Sequence, residues 1–344
     1  MLPDIKELTT EQLILWLEER NIKPYRAKQI LKWIYMRQAD TFEVMTDLGK
    51  EIRKCLSRHF SINRLEKERT ETSQDGSKKF LFKLIDGKYI ESVLIPEKNH
   101  YTLCISSQVG CAQRCRFCLT GRVGLVRNLT KGEIIAQVRD VANDLENSKP
   151  LTNIVMMGMG EPLANYSNVV GAVATITDSD SGLGFSNRRL TVSTAGLIPK
   201  LSQLGRETAV NLAISLNAAN NKTRDMLMPI NRKYPLEKLL EACARYPLMP
   251  RRRITFEYII IKGVNDSEED AKRLAGLLRP IHSKINLIPF NTFEGSDFER
   301  PDEHVILTFK EILKKNNYTA VIRHSKGQDI SAACGQLSAK SDII

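Results

Sequence analysis

The stretch Tyr101-Thr-Leu-Cys104-Ile-Ser-Ser-Gln-Val-Gly-Cys111-Ala-Gln-Arg-Cys115-Arg-Phe-Cys118 decides how the rest of the chain is read. Residues 101–107 predict a strand, and a loop carrying three cysteines follows at once, with three and then two residues between them. Thiolates are soft ligands that suit zinc or an iron–sulfur cluster, and one short loop can aim three of them at one centre. Spacing alone leaves both open. A structural zinc site needs a fourth ligand, and Cys104, the nearest candidate, lies on the strand itself. The chain holds seven cysteines, an odd count that does not read as a disulfide framework in a reducing compartment.

Working outward, Thr130-Lys-Gly-Glu133 has the form of a capping box ahead of an amphipathic run to Leu145, and Ser267-Glu-Glu-Asp270 opens a later helix in the same way. Strands are predicted at 101–107, 153–158, 189–194, 211–216, 254–261 and 285–290, each followed by a helical segment. Six βα units in series imply a parallel sheet with helices outside, in a partial or complete barrel. In that architecture ligand-binding residues lie at the carboxyl ends of the strands. The cysteine loop stands at the first of these ends, which favours a [4Fe–4S] cluster over zinc. Upstream, apolar residues at helical spacing (Leu13, Leu15 and Trp16; Ile30, Leu31, Trp33 and Ile34) predict a small helical module over residues 5–60. Between the two, Lys78 to Leu84 and Lys88 to Pro96 flank Asp86-Gly87 and predict a hairpin. The expected domains are therefore a helical accessory, RNA-binding domain at 1–64, a linking β-hairpin at 65–97 and a core at 98–344 whose carboxyl-terminal segment carries a further cysteine.

With 42% apolar and 26% charged residues among 344, the chain has material for a sizeable core, which excludes a disordered protein. Its apolar runs, such as Tyr258 to Ile261, fall far short of a membrane span, and the amino terminus lacks an apolar signal region, so a cytoplasmic location is expected. The formal charge of +11 favours an anionic partner without naming it. Four basic groups stand out: Arg188-Arg189, Arg251-Arg252-Arg253, Arg122 with Arg127, and Arg323-His324 with Lys326. Each alone reads equally as a solvated end of a helix or strand, and only convergence around one mouth makes a nucleic-acid surface.

The three-cysteine loop, with Phe117 before its last cysteine, resembles the signature of the radical S-adenosylmethionine superfamily. Further motifs extend the likeness: Gly158-Met-Gly-Glu-Pro-Leu163, Val192-Ser-Thr-Ala-Gly196, Ile214-Ser-Leu-Asn217, Met228-Pro-Ile-Asn231, Ile288-Pro-Phe-Asn291 and Ala333-Cys-Gly-Gln-Leu337. In this order they resemble the RlmN and Cfr branch, whose members methylate adenine carbons in ribosomal RNA and, in the RlmN branch, transfer RNA. The resemblance implies an α/β fold, a partial (βα)6 radical SAM barrel with the small helical domain and connecting β-hairpin. It assigns the [4Fe–4S] cluster to Cys111, Cys115 and Cys118, and S-adenosylmethionine to Gly160, Glu161, Ser193, Ser215, Leu216, Asn217 and Asn291.

The same resemblance makes Cys334 the methyl-accepting residue, Cys104 its later disulfide partner and Glu91 the base. It implies two S-adenosylmethionine molecules per turnover, C2 of adenine as the target, 23S rRNA and tRNA as substrates, an external electron donor such as flavodoxin, and a monomer away from membranes. Plainer readings stand beside these roles: a turn glutamate at 161, a buried small residue at 334, an exposed strand residue at 91. Asn217 departs from the histidine common in the family, and Cys55 and Cys243 match nothing and are taken as core. Methylation at C8, as in the Cfr branch, and a noncatalytic zinc-containing RNA-binding protein are the competing readings.

Overall fold

The computed structural model describes residues 2–145 and 149–338; Met1 of the expected helical domain and residues 339–344 of the expected core lie outside the described residues. The chain opens with three short helices, α1 (Thr10–Glu18), α2 (Arg26–Tyr35) and α3 (Lys50–His59). Thr9 and Gln12 cap α1 reciprocally, each side chain bonding the other's backbone N–H. Four antiparallel strands follow: β1 (Glu66–Thr72), β2 (Lys78–Lys83), β3 (Tyr89–Pro96) and β4 (Tyr101–Cys104). The expected hairpin is thus β2–β3, extended on its outer edge by β1.

The strand expected at 101–107 ends at Cys104, because Ser106 and Ser107 turn away to bond elsewhere. The Ser106 hydroxyl donates to the Glu91 carbonyl at 2.6 Å, and the Ser107 N–H donates to the Met159 carbonyl. A separate two-stranded ribbon, β5 (Gln108–Gly110) with β6 (Leu125–Asn128), then brackets the cysteine loop and α4 (Leu119–Val123).

After α5 (Lys131–Asn143) the chain alternates: β7 (Leu151–Met156), α6 (Tyr166–Thr177), β8 (Leu190–Thr194), α7 (Ile198–Glu207), β9 (Asn211–Ser215), α8 (Asn221–Leu227), α9 (Leu236–Ala244), β10 (Ile254–Ile260), α10 (Glu268–Leu277), β11 (Ser283–Pro289), α11 (Glu303–Lys315) and β12 (Ala320–Ile322). The sheet order is β1-β2-β3-β4-β7-β8-β9-β10-β11-β12, parallel from β4 onward. The six expected strands are present, and β12 adds a short seventh to the parallel run. Thr130 and Glu133 form the expected capping box on α5. At α10 the Ser267 hydroxyl instead exchanges bonds with the Asp270 N–H and carboxylate, since aspartate is one methylene too short to reach back to the backbone.

The helical module shares the core of the barrel: Leu13, Leu17, Ile30, Ile34 and Leu56 belong to one apolar cluster with Ile134, Val138 and the strands. Its polar anchor is Arg139 on α5, fully buried. The guanidinium donates to the carbonyls of Ile34 (3.0 Å) and Ala39 (2.8 Å) and pairs with Asp40 (2.6 Å) and Asp140 (2.9 Å). These four bonds, two of them to carboxylates, offset the cost of taking the cation out of water.

Candidate active site

The cysteine loop is shaped by one backbone bond of its own and by bonds to three other segments. Cys111 N–H donates to the Gly124 carbonyl, Arg116 N–H to Leu227, Cys118 N–H to Cys115 and Leu119 N–H to Gly335. Gly110, at φ +73°, is obligatory, because a Cβ there would lie 1.8 Å from the Gly124 oxygen. Held so, Cys111, Cys115 and Cys118 all line one cavity of about 140 Å³ beyond the carboxyl ends of the strands. Among the described residues, no three His, Cys, Asp or Glu side chains close on a point as they do around a single metal ion. Burial pushes the Cys111 thiol up to about 12 and Cys115 further. These thiols therefore need a cationic centre to become thiolates, and three of them suit three corners of an iron–sulfur cluster while leaving the fourth iron to another ligand.

Gly160, Glu161, Ser193, Ser215 and Asn217 line the same cavity. Gly158 and Gly160 let the end of β7 lie against the chain leaving β4; a Cβ on Gly160 would sit 2.6 Å from Gln108 Cβ, and one on Gly158 would sit 2.7 Å from the Ile105 oxygen. Glu161 is buried, with one oxygen accepting from Leu163 N–H (3.0 Å) and the other from Ala195 N–H (2.7 Å); burial raises its pKa. Asn217 holds a left-handed backbone (φ 59°), and its side chain joins β9 to β10 by accepting from Ile259 N–H at 2.8 Å. The position of the family histidine is thus filled by a residue whose amide is engaged within the protein. Leu216 and Asn291 are not part of the cavity lining. Leu216 is core, its carbonyl accepting from the buried Arg224, which also binds the carbonyls of Ala195 and Ser215. Asn291 donates to the Cys334 carbonyl (3.1 Å) and accepts from Gln328.

A second, larger cavity of about 500 Å³ is the barrel lumen. Strand side chains alternate faces, and Thr102, Thr191, Asn211, Thr255, Glu257, Lys284 and Asn286 point inward. Cys104 and Cys334 line it as well. Cys334 is carried on the segment after β12, which crosses the barrel under a set of polar ties. Asp329 accepts from Ser73, Lys79 donates to the Ile330 carbonyl, Thr120 donates to Leu337, and Gln336 donates to Thr292. Seven residues line both cavities, Cys334, Cys118, Met157 and Glu257 among them. The exposure of Cys334 is therefore to these chambers, and its thiol is pushed up to about 12 by the surrounding protein, with Glu257 adding to the effect. Burial likewise pushes Cys104 up to about 12. Both are unpaired thiols here. Glu91 is buried rather than exposed; its carboxylate accepts from Ser338 N–H (2.8 Å) and pairs with Lys79 (3.5 Å), so it is tied to the Cys334 segment from outside the lumen. Cys243 is core, and Cys55 is half-buried beside His59.

The basic groups separate. Arg188, Arg189, Arg323, His324 and Lys326 converge on the lumen, with Lys284 inside it and Arg252 and Arg253 beside the same strand starts. Arg127 is spent on Asp86 and Glu133, and Arg122 lies over Phe293. The positive charge on the lumen thus comes from strand starts, at Arg188, Arg189 and Lys284, and from the segment after β12, at Arg323, His324 and Lys326. Glu257, Asn286 and Lys284 escaped the sequence reading, although Thr255-Phe-Glu257 and Lys284-Ile-Asn286 place polar residues at every second position of otherwise apolar strands. That alternation is the signature of a polar lumen.

Comparison with known proteins agrees with this geometry. The family model described as the Radical SAM superfamily matches residues 105–275, and that described as the Ribosomal RNA large subunit methyltransferase N-terminal domain matches residues 3–62. The chain is 57% identical to the dual-specificity RNA methyltransferase RlmN of Desulfosudis oleivorans, over 98% of this chain and 91% of that one. It is 53% identical to the protein of the same name from Geobacter sulfurreducens, over 99% and 93%. The crystal structure of a radical SAM methyltransferase from Sphaerobacter thermophilus superposes with a TM-score of 0.93 at 44% identity, covering 98% of this chain and all of that one.

Proposed function

This chain belongs to the RlmN family of radical S-adenosylmethionine RNA methyltransferases, and from that premise we propose that it methylates C2 of one adenine in 23S rRNA and of one in tRNA, with Cys334 as the carrier. The observation that carries the reading is the place of Cys334 at the junction of the cysteine-lined cavity and the basic-mouthed lumen. A ring carbon such as C2 is a poor nucleophile, whereas a thiolate is a competent one, so a cysteine facing both chambers is the group that can take a methyl from one side and give it to the other. When bound, the [4Fe–4S] cluster and S-adenosylmethionine supply an electron, the methyl group and a 5′-deoxyadenosyl radical.

The chain's own residues do the rest. Cys111, Cys115 and Cys118 would hold the cluster, and Gly160, Glu161, Ser193, Ser215 and Asn217 the cofactor, with Leu216 packed in the core between the last two. Asn291 fixes the Cys334 carbonyl. The S-methyl carbon of Cys334, once it has given a hydrogen atom to the 5′-deoxyadenosyl radical, bonds to C2 and joins protein to RNA, and the adduct must then give up one electron, which the oxidised cluster would accept, as C2 loses its proton. We assign the ring proton to Glu91, whose carboxylate must come off the Ser338 N–H and Lys79 to reach a base in the lumen. The Cys104 thiolate then attacks the Cys334 sulfur, forming a disulfide as the C–S bond breaks, and the departing carbon takes a proton to become the product methyl.

The cluster loop shows solvent the exposed Arg114, Arg116 and Arg122, a face that suits an acidic electron donor such as flavodoxin. Among the described residues no helix is long and apolar enough to cross a membrane, and one chain supplies every site residue, in keeping with a cytoplasmic monomer.

The test is nucleoside mass spectrometry of RNA treated with the reconstituted enzyme and its variants. Wild type should give 2-methyladenosine, whereas 8-methyladenosine would show the Cfr reaction and sink the C2 assignment. Cys334→Ala should yield neither S-methylated protein nor methylated RNA. Cys104→Ala should accumulate a denaturant-resistant, nuclease-sensitive protein–RNA adduct; normal turnover by it would end the two-cysteine scheme.

A further inference from the structure

Glu257 on β10 and Asn286 on β11 are register partners across the parallel ladder, both buried and both facing the lumen. Asn286 Nδ2 donates to Glu257 Oε1 at 2.9 Å. That bond fixes the amide, so Asn286 Oδ1 is the end left to act as an acceptor. Among the described residues neither Asn286 Oδ1 nor Glu257 Oε2 has a partner. Neither atom is among the buried atoms left unsatisfied, so both stay open to the lumen that their side chains line, where the polar edge of a ligand can reach them.

The chemistry of the pair selects the ligand. Burial holds Glu257 up, at about 7, against the pull of Asn286, Arg323 and Lys284, while Cys334 faces it from the segment above. A protonated carboxyl is a donor as well as an acceptor. One acceptor and one donor side by side complement adenine, whose exocyclic amine donates and whose N1 accepts. Guanine presents the reverse order along that edge, a carbonyl acceptor and an N–H donor. Enzymes that act on an extruded base read this edge by hydrogen bonds of this kind. C2 is bonded directly to N1, and Glu257 shares both cavity linings with Cys334, so a base held by this edge presents the carbon to be methylated to the carrier thiol.

We propose that Glu257 and Asn286 read the target base, Asn286 Oδ1 accepting from the exocyclic amine and Glu257 Oε2 donating to N1. This rests on the adenine-methylation reading above. The pair sets specificity and presentation, and gives the carbon-bearing edge of the base its orientation before any bond is made.

The experiment is a double-mutant cycle between protein and base, run with cluster-loaded enzyme. Short RNAs carry adenosine, 1-deazaadenosine or unsubstituted purine riboside at the target position, and both kcat/KM and equilibrium binding are measured for wild type, Glu257→Gln, Glu257→Leu and Asn286→Ala. A base-edge hydrogen-bond pair is worth about 1–3 kcal/mol of discrimination, so 1-deazaadenosine should cost wild type about 5- to 150-fold. Glutamine also presents a donor and an acceptor, so Glu257→Gln should keep that penalty. Glu257→Leu has lost the partner of N1 and should show a penalty under about threefold, and Asn286→Ala should do the same for purine riboside. Equal penalties in wild type and Glu257→Leu, together with equal penalties in wild type and Asn286→Ala, would overturn the proposal. If either leucine or alanine variant is inactive, the binding cycle with the same RNAs decides. Wild type that methylates no adenosine would instead refute the functional reading on which the pair depends.

Discussion

Replacing Arg139 by methionine should detach the helical module from the barrel before the barrel unfolds. The guanidinium is fully buried and makes four bonds: two to backbone carbonyls of the module, at Ile34 and Ala39, and two to carboxylates, at Asp40 and Asp140. Methionine matches its stem and keeps the apolar packing, so the loss is that of the head group. Removing one member of a buried ion pair costs about 3–5 kcal/mol because the other is left uncompensated. Asp140 keeps the Leu65 N–H at 2.8 Å and has Arg64 at 3.6 Å, which places the expected loss toward the lower end of that range. The chain supplies its own assay, since its two tryptophans, Trp16 and Trp33, both lie in the module. Urea unfolding followed by tryptophan fluorescence reports the module, and far-ultraviolet circular dichroism reports the whole. Arg139→Met should move the fluorescence transition to lower urea and separate it from the dichroism transition. Coincident transitions with a loss under about 1 kcal/mol would show that the apolar interface alone holds the module, and the argument from the buried cation would be wrong.

Alanine at Cys111, Cys115 or Cys118 should abolish iron loading and cofactor cleavage together, checked by iron analysis and the visible spectrum; a variant with a full cluster refutes the assignment. Glu257→Gln should change the pH dependence of stability. In the folded protein the carboxyl is raised from 4.5 to about 7, so its stabilisation is fully present below the unfolded value and lost as pH rises through about 7. Wild type and variant should therefore be alike near pH 5, and the variant more stable near pH 8 by up to about 3 kcal/mol in urea titrations. A difference that does not vary with pH would place this carboxylate in water.

The parallel strands were legible because each is an apolar, β-branched run long enough to stand out between capped helices. β1 was not: Glu-Lys-Glu-Arg-Thr-Glu-Thr is exposed along nearly its whole length, an edge strand whose only apolar demand is met by its neighbour. β12 has three residues, too few for any periodicity. In the site, the cysteine loop could be read because its spacing is local. The ties that place Cys334 could not, since Asp329 meets Ser73, and Ser338 meets Glu91, across some 250 residues of chain. The burial of Glu91 follows from those same distant contacts. Asn217 illustrates the converse: its identity was noticed, yet its task, joining β9 to β10, depends on a strand 40 residues further on.

The barrel has two chambers that share a wall including Cys334, with the exposed Arg188 and Arg189 at the far rim of one and the cysteine loop walling the other. Traffic through it is accordingly divided. On the function proposed above, a spent cofactor and its replacement would exchange on the cysteine side while a nucleotide in the lumen occupied the opposite doorway, so the two need not queue. A reaction that, as proposed, consumes two copies of the same small molecule for each large one would then require no second encounter with the large one.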